Sequence, residues 1–83
     1  MKITVKYFAS IRETIGLGSE QVDTPASNLA ALRDELIAKS GAHAQALARG
    51  KTLRVAQNQV MADESTALAD GAEVAFFPPV TGG

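Results

Sequence analysis

Met1-Lys2-Ile3-Thr4-Val5-Lys6-Tyr7-Phe8 reads as a strand, and the fold follows from what must cover it. Ile3, Val5 and Tyr7 fall on one side of an extended chain, with Lys2, Thr4 and Lys6 on the other, because successive strand side chains point to opposite faces. Such a strand has a single apolar face to bury. Downstream, Gly16-Leu17-Gly18-Ser19 signals a turn, and Glu20 to Thr24 is a short second strand expected to pair back on the first as its hairpin partner. Pro25 interrupts sheet pairing, and Thr24 or Ser27 is placed to cap a following helix. In that helix Leu29, Leu32 and Leu36 recur at helical spacing with Ile37 beside them, leaving Arg33, Asp34 and Lys39 for solvent. Gly41 suits the position just past its C-terminus, and Ala42 to Ala48 adds a further turn or two before Arg49-Gly50-Lys51.

Leu53 to Ala56 and Val60 to Ala62 flank a turn at Gln57-Asn58-Gln59, where Asn58 tolerates a positive φ. Asp70-Gly71 is another turn, Glu73 to Phe77 is the last strand, and Pro78-Pro79 ends it because proline lacks the ladder donor. The order strand, strand, helix, strand, strand, strand is most simply an α+β domain. One main helix packs on one face of a mixed sheet of about five strands, which is the β-grasp or ubiquitin-like arrangement. The expected division is a β-grasp domain over residues 1–77 and a flexible tail over 78–83 ending in Gly-Gly.

At 83 residues there is room for one domain, and 46% apolar content is enough for its core. There is no cysteine, so no disulfide or thiolate site supports the fold, and any sulfur handled here sits elsewhere than on a side-chain thiol. A net charge of −1 with no basic block gives no reason to expect nucleic acid or an anionic membrane as partner. No apolar run reaches the length of a signal segment or a membrane span, so a soluble, cytoplasmic protein is expected. His43 is the single histidine and has no second ligand nearby; it is expected on the surface, with no metal. Arg12-Glu13 reads as a surface ion pair of little worth, and Asp63, Glu64 and Asp70 as solvated turn acids.

Three large apolar residues do not fit a buried pattern. If Ile3, Val5 and Tyr7 face the core, Phe8 faces away; if Val74 and Phe76 face it, Phe77 does not; and Met61 alternates away from Val60. Phe8 and Phe77 could tuck under loops at strand ends, since single exposed apolar residues need no explanation. Clustered on the open face of the sheet, the three would form a patch of the kind that marks a partner surface.

The tail Pro78-Pro79-Val80-Thr81-Gly82-Gly83 is the chemically informative segment. A chance Gly-Gly ending has a probability of about 0.5%. Here it follows two prolines that favour an extended root, and six extended residues reach about 20 Å, enough to thread into another protein's active site. Glycine lets the backbone pass a constriction and leaves the terminal carbonyl unhindered. A carboxylate is a poor electrophile, so this terminus needs activation, as an acyl adenylate, before a sulfur or nitrogen nucleophile can attack.

Read together, Tyr7-Phe8-Ala9-Ser10-Ile11-Arg12-Glu13, the Asn58-Gln59 turn, Asp70-Gly71-Ala72-Glu73-Val74-Ala75-Phe76-Phe77 and the ending Pro78-Pro79-Val80-Thr81-Gly82-Gly83 resemble the MoaD family of molybdopterin synthase small subunits over essentially the whole chain. The resemblance implies that Gly83 is adenylated with ATP by an E1-like activating enzyme and converted to a thiocarboxylate. The tail then enters a MoaE-type large subunit, in an assembly of two small and two large subunits, and donates sulfur to cyclic pyranopterin monophosphate to build the molybdopterin dithiolene. It implies a sulfur-donor subunit that binds no cofactor, with the active-site chemistry supplied by the large subunit. Phe8, Met61 and Phe77 would belong to the docking face, Arg12 to a partner contact, and Pro78, Pro79, Val80, Thr81 and Gly82 to the inserted tail. Three other readings share parts of this sequence: a ThiS-like carrier for another pathway, a ubiquitin-like modifier conjugated to lysines through Gly-Gly, and an interaction module with an incidental Gly-Gly. The Phe-Phe-Pro-Pro-Val-Thr stretch favours the molybdopterin branch.

Overall fold

The computed structural model describes residues 1–79. Its elements are β1 (Lys2–Tyr7), α1 (Ala9–Ile15), β2 (Ser19–Asp23), α2 (Leu29–Ile37), α3 (Gly41–Leu47), β3 (Arg54–Gln57), β4 (Val60–Ala62) and β5 (Glu73–Phe77). The sheet runs in the order β2-β1-β5-β3-β4. The central pair β1 and β5 is parallel, and the outer pairings are antiparallel. This is the expected β-grasp arrangement: a mixed five-stranded sheet with helices on one face.

Alternation decides which face is covered. Ile3, Val5 and Tyr7 of β1, Val74 and Phe76 of β5 and Val55 of β3 are buried together with Leu29, Leu32 and Leu36 of α2, Ile11 of α1 and Leu47 of α3. α2 is therefore the main core helix, as the leucine spacing predicts. Its start is not capped by Thr24 or Ser27. Asn28 caps it, accepting from the Ala31 amide at 2.8 Å, while the Leu29 and Ala30 amides donate to the carbonyls of Thr66 and Glu64. The first-turn donors that a helix cannot satisfy itself are thus met largely by a distant loop, which local sequence does not reveal. Thr24 is buried instead, bonded to Glu35 and accepting from the Ala26 amide.

Two helices flank α2. α1 is short and was not expected: Ile11 and Ile15 lie one turn apart, and Gly16, at φ 86°, ends it by donating its amide to the Arg12 carbonyl. Because α1 lies between them, β1 and β2 pair antiparallel without a tight hairpin turn. α3 fulfils the expectation for Ala42 to Ala48, but Gly41 opens it rather than closing α2; Ser40 is its cap, accepting from the His43 amide.

Arg33 is also not for solvent. It is buried beneath the α3–β3 connection, where Nε donates to the Leu47 carbonyl at 2.8 Å and Nη2 to those of Ala48 and Lys51. Its Nη1 meets Glu64 at 2.8 Å, and Glu64 also pairs with Arg49. Glu64 is therefore an anchoring acid rather than a solvated one. No helix among the described residues is long and apolar enough to cross a membrane.

Candidate functional site

The sheet face away from the helices follows from the register. Lys6 lies beside Ala75, Ala75 beside Ala56, and Ala56 beside Met61. Two residues further along β5, Phe77 stands opposite Arg54. Small residues thus floor a band from Lys6 to Met61, and Phe8 and Phe77 stand at the end where β5 leaves the sheet. Their rings meet edge to face, with centroids 6.3 Å apart and planes at 86°, an arrangement worth about 0.5–1.5 kcal/mol beyond area burial. Phe8 is 46% exposed and Met61 52%. Neither tucks under a loop; Phe77 is half-buried. Ala9, at φ 53°, turns the chain into α1 directly after Phe8. Val60 is exposed as well as Met61, because the three-residue edge strand β4 extends beyond the helical layer.

Pro78 and Pro79 leave the end of β5 half-buried and line a groove with Ser10, Ile11, Lys51 and Leu53. The structure therefore brings Phe8, Phe77, Pro78 and Pro79 to one end of the sheet. Met61 shares their face but sits two strands from Phe77. Arg12 follows Phe8 by four residues on α1, and its side chain lies over Gly18, where a Cβ would approach Nε to 3.3 Å. It makes no ion pair with Glu13, since neighbours in sequence do not face each other on a helix. Val80, Thr81, Gly82 and Gly83 lie outside the described residues. Sequence reading passed over Arg54 and Lys51; strand alternation, with Val55 turned inward, is the signal that would have put Arg54 on this face.

A second polar cluster lies on the core side. Glu20 of β2 accepts from the Tyr7 hydroxyl at 2.7 Å and from Lys39 Nζ at 2.8 Å, and meets His43 Nε2 at 2.6 Å. His43 Nδ1 lies 2.7 Å from the Ser40 hydroxyl. The single histidine is thus 6% exposed, not on the surface. Its ring packs edge-on against Tyr7 with centroids 6.0 Å apart. Partial burial pushes the Glu20 carboxyl up, but bonds from His43, Lys39 and Tyr7 outweigh it and hold the pKa down at about 2. Burial, with the Glu20 bond and charge adding to it, drives the Tyr7 hydroxyl far above its usual range, so it remains a donor. The cluster ties β1, β2 and α3 together. Among the described residues no group of three or more His, Asp or Glu side chains could hold a metal.

The sequence pattern of the ThiS family matches residues 5–83. The chain is 44% identical over 81 residues to the molybdopterin synthase sulfur carrier subunit of Escherichia coli, covering 98% of this chain and 99% of that one. It is 42% identical, with the same coverage, to the protein of that name from Haemophilus influenzae. Among solved structures it resembles SAMP1 from Haloferax volcanii, with a TM-score of 0.77 and 31% identity over the whole of both chains. A protein–protein complex of subunits 1 and 2 of molybdopterin-converting factor from Helicobacter pylori also matches, with a TM-score of 0.67 and 30% identity over all of both chains.

Proposed function

The chain belongs to the ThiS family, whose pattern covers residues 5–83, and from that premise we propose that it is the sulfur carrier subunit of a molybdopterin synthase. The observation that carries this reading is the 44% identity to the Escherichia coli carrier over 98% of the chain, which favours the molybdopterin branch over other carriers. The geometry is consistent in kind: an exposed aromatic pair stands where β5 passes through Pro78-Pro79 toward Gly82-Gly83.

The chemistry proceeds at Gly83. Its carboxylate oxygen attacks the α-phosphorus of ATP on an E1-like enzyme, releasing pyrophosphate and leaving an acyl adenylate. A sulfur nucleophile displaces AMP, and once that sulfur is freed from its donor the terminus is a thiocarboxylate. A thioacid is ionised at neutral pH and is nucleophilic without a dedicated base. It then donates sulfur to cyclic pyranopterin monophosphate inside a MoaE-type large subunit, which supplies the cations and the acid-base groups. Phe8, Met61 and Phe77 form the docking face, Arg12 flanks it, and Pro78 to Gly82 lead Gly83 into the partner. The carrier holds no cofactor of its own, works in an assembly of two small and two large subunits, and resides in the cytoplasm. The complex of subunits 1 and 2 from Helicobacter pylori supports the large-subunit partner.

Intact mass of the chain incubated with its activating enzyme, ATP and a sulfur donor is the test. The expected result is a gain equal to the exchange of one oxygen for one sulfur at the C-terminus. Adding cyclic pyranopterin monophosphate and the large subunit then yields molybdopterin. Lysine-linked conjugates without the mass gain would favour a protein modifier instead.

A further inference from the structure

The chain's cations are not evenly partnered. Of eight Lys and Arg residues, Lys6, Arg33, Lys39 and Arg49 pair with carboxylates. Among the described residues Lys2, Arg12, Lys51 and Arg54 make no ion pair. Three of these four surround the tail root. Arg54 faces Phe77 across the β3–β5 ladder. Arg12 is on α1, four residues beyond Phe8, and Lys51 lines the groove that holds Pro78 and Pro79. All three are exposed.

The acids at this end do not answer them. Asp63, next to β4, turns its carboxylate onto the Ser65 amide at 3.1 Å and the Ser65 hydroxyl. Glu13 shares a hollow with Arg12 but forms no ion pair with it. A chain of net charge −1 therefore presents local positive charge on three sides of an exposed aromatic pair. Unpaired exposed cations contribute almost nothing to folding. Interface rims with complementary charge, in contrast, steer encounter and set register.

We infer that the large subunit's docking site is an apolar socket for Phe8 and Phe77 rimmed by carboxylates that meet Arg12, Lys51 and Arg54. This rests on the carrier reading and adds to it the chemistry of the partner surface. The three cations act in association, not in sulfur transfer.

The test is stopped-flow association of the full chain with the large subunit of the same organism at low and high salt. Each of Arg12→Glu, Lys51→Glu and Arg54→Glu slows association about two- to fivefold, and the triple variant at least about tenfold. Raising salt from about 0.05 M to 0.5 M slows the wild type about tenfold and the triple variant less than about twofold. Lys2→Glu, at the far end of β1, is the control for net charge and leaves the rate unchanged. Thermal melts show all four variants folded. Wild-type rates and salt slope in the triple variant overturn the inference, as does an equal loss in Lys2→Glu, or a response seen only with the activating enzyme. Salt-sensitive binding of the wild type to anionic vesicles, lost in the triple variant, overturns it in favour of a lipid surface. If the wild type binds the large subunit at no salt concentration, the carrier reading itself fails.

Discussion

Glu20 shows how one side chain's neighbours set its behaviour. Three donors hold its carboxylate in the charged form, so its folded pKa of about 2 lies below the value near 4.3 of an unfolded chain. The stabilisation is complete above about pH 4.3 and is lost as pH falls toward 2. Urea midpoints between pH 7 and pH 2.5 should therefore decline on the acid side. Glu20→Gln should lower stability at pH 7 by about 1–3 kcal/mol and flatten that acid decline. Gln59 is a second case. With Asn58 it completes a two-residue hairpin turn at φ 51° and 68°, the left-handed region that such turns require. Asn58 also meets the neighbouring strand, since its Oδ1 accepts from the Glu73 amide at 3.0 Å. Gln59 has no such compensation among the described hydrogen bonds. Gln59→Gly should raise stability by about 0.5–1 kcal/mol, measured by denaturant melts.

At the scale of elements, stability rests on connections rather than on helix propensity. α1 and α3 are seven residues each, too short to persist alone in water. Ile11 and Leu47 dock them into the core. The Arg33 guanidinium fixes the α3–β3 connection through three carbonyls and Glu64. Arg33→Met would leave those buried carbonyls without donors, at a cost of about 3 kcal/mol in denaturant melts. Hydrogen exchange should then speed up in residues 47–52 before it does in β1 or β5. The helical leucines, the strand alternation and the Asp70-Gly71 turn, with Gly71 at φ 75°, were legible in the sequence because each is a local pattern. α1 was missed because two isoleucines one turn apart before a glycine are too few for a period. Arg33 was misassigned because helical spacing says which residues share a stripe, not what another segment lays over its edge.

For the whole molecule, the two faces of the sheet divide the work. The covered face holds the core, and the open one carries Phe8, Phe77 and Met61 with Arg54 between the last two. Phe77→Asp should weaken large-subunit binding at least about tenfold, or ~1.4 kcal/mol, while shifting the melting transition little. Deleting Gly83 should abolish sulfur transfer and leave both fold and docking unchanged, read by product formation beside circular dichroism and binding. The sequence by itself determined the β-grasp order, the inward and outward faces of each strand and the Gly-Gly chemistry, because periodicity, turn residues and terminal composition are written along the chain. Only the tertiary structure decided that Phe8 and Phe77 stack, that Arg12, Lys51 and Arg54 gather at the tail root, and that His43 and Arg33 are buried. Those facts depend on strand register and on segments far apart in sequence, and no local pattern encodes which distant group will arrive to meet a side chain.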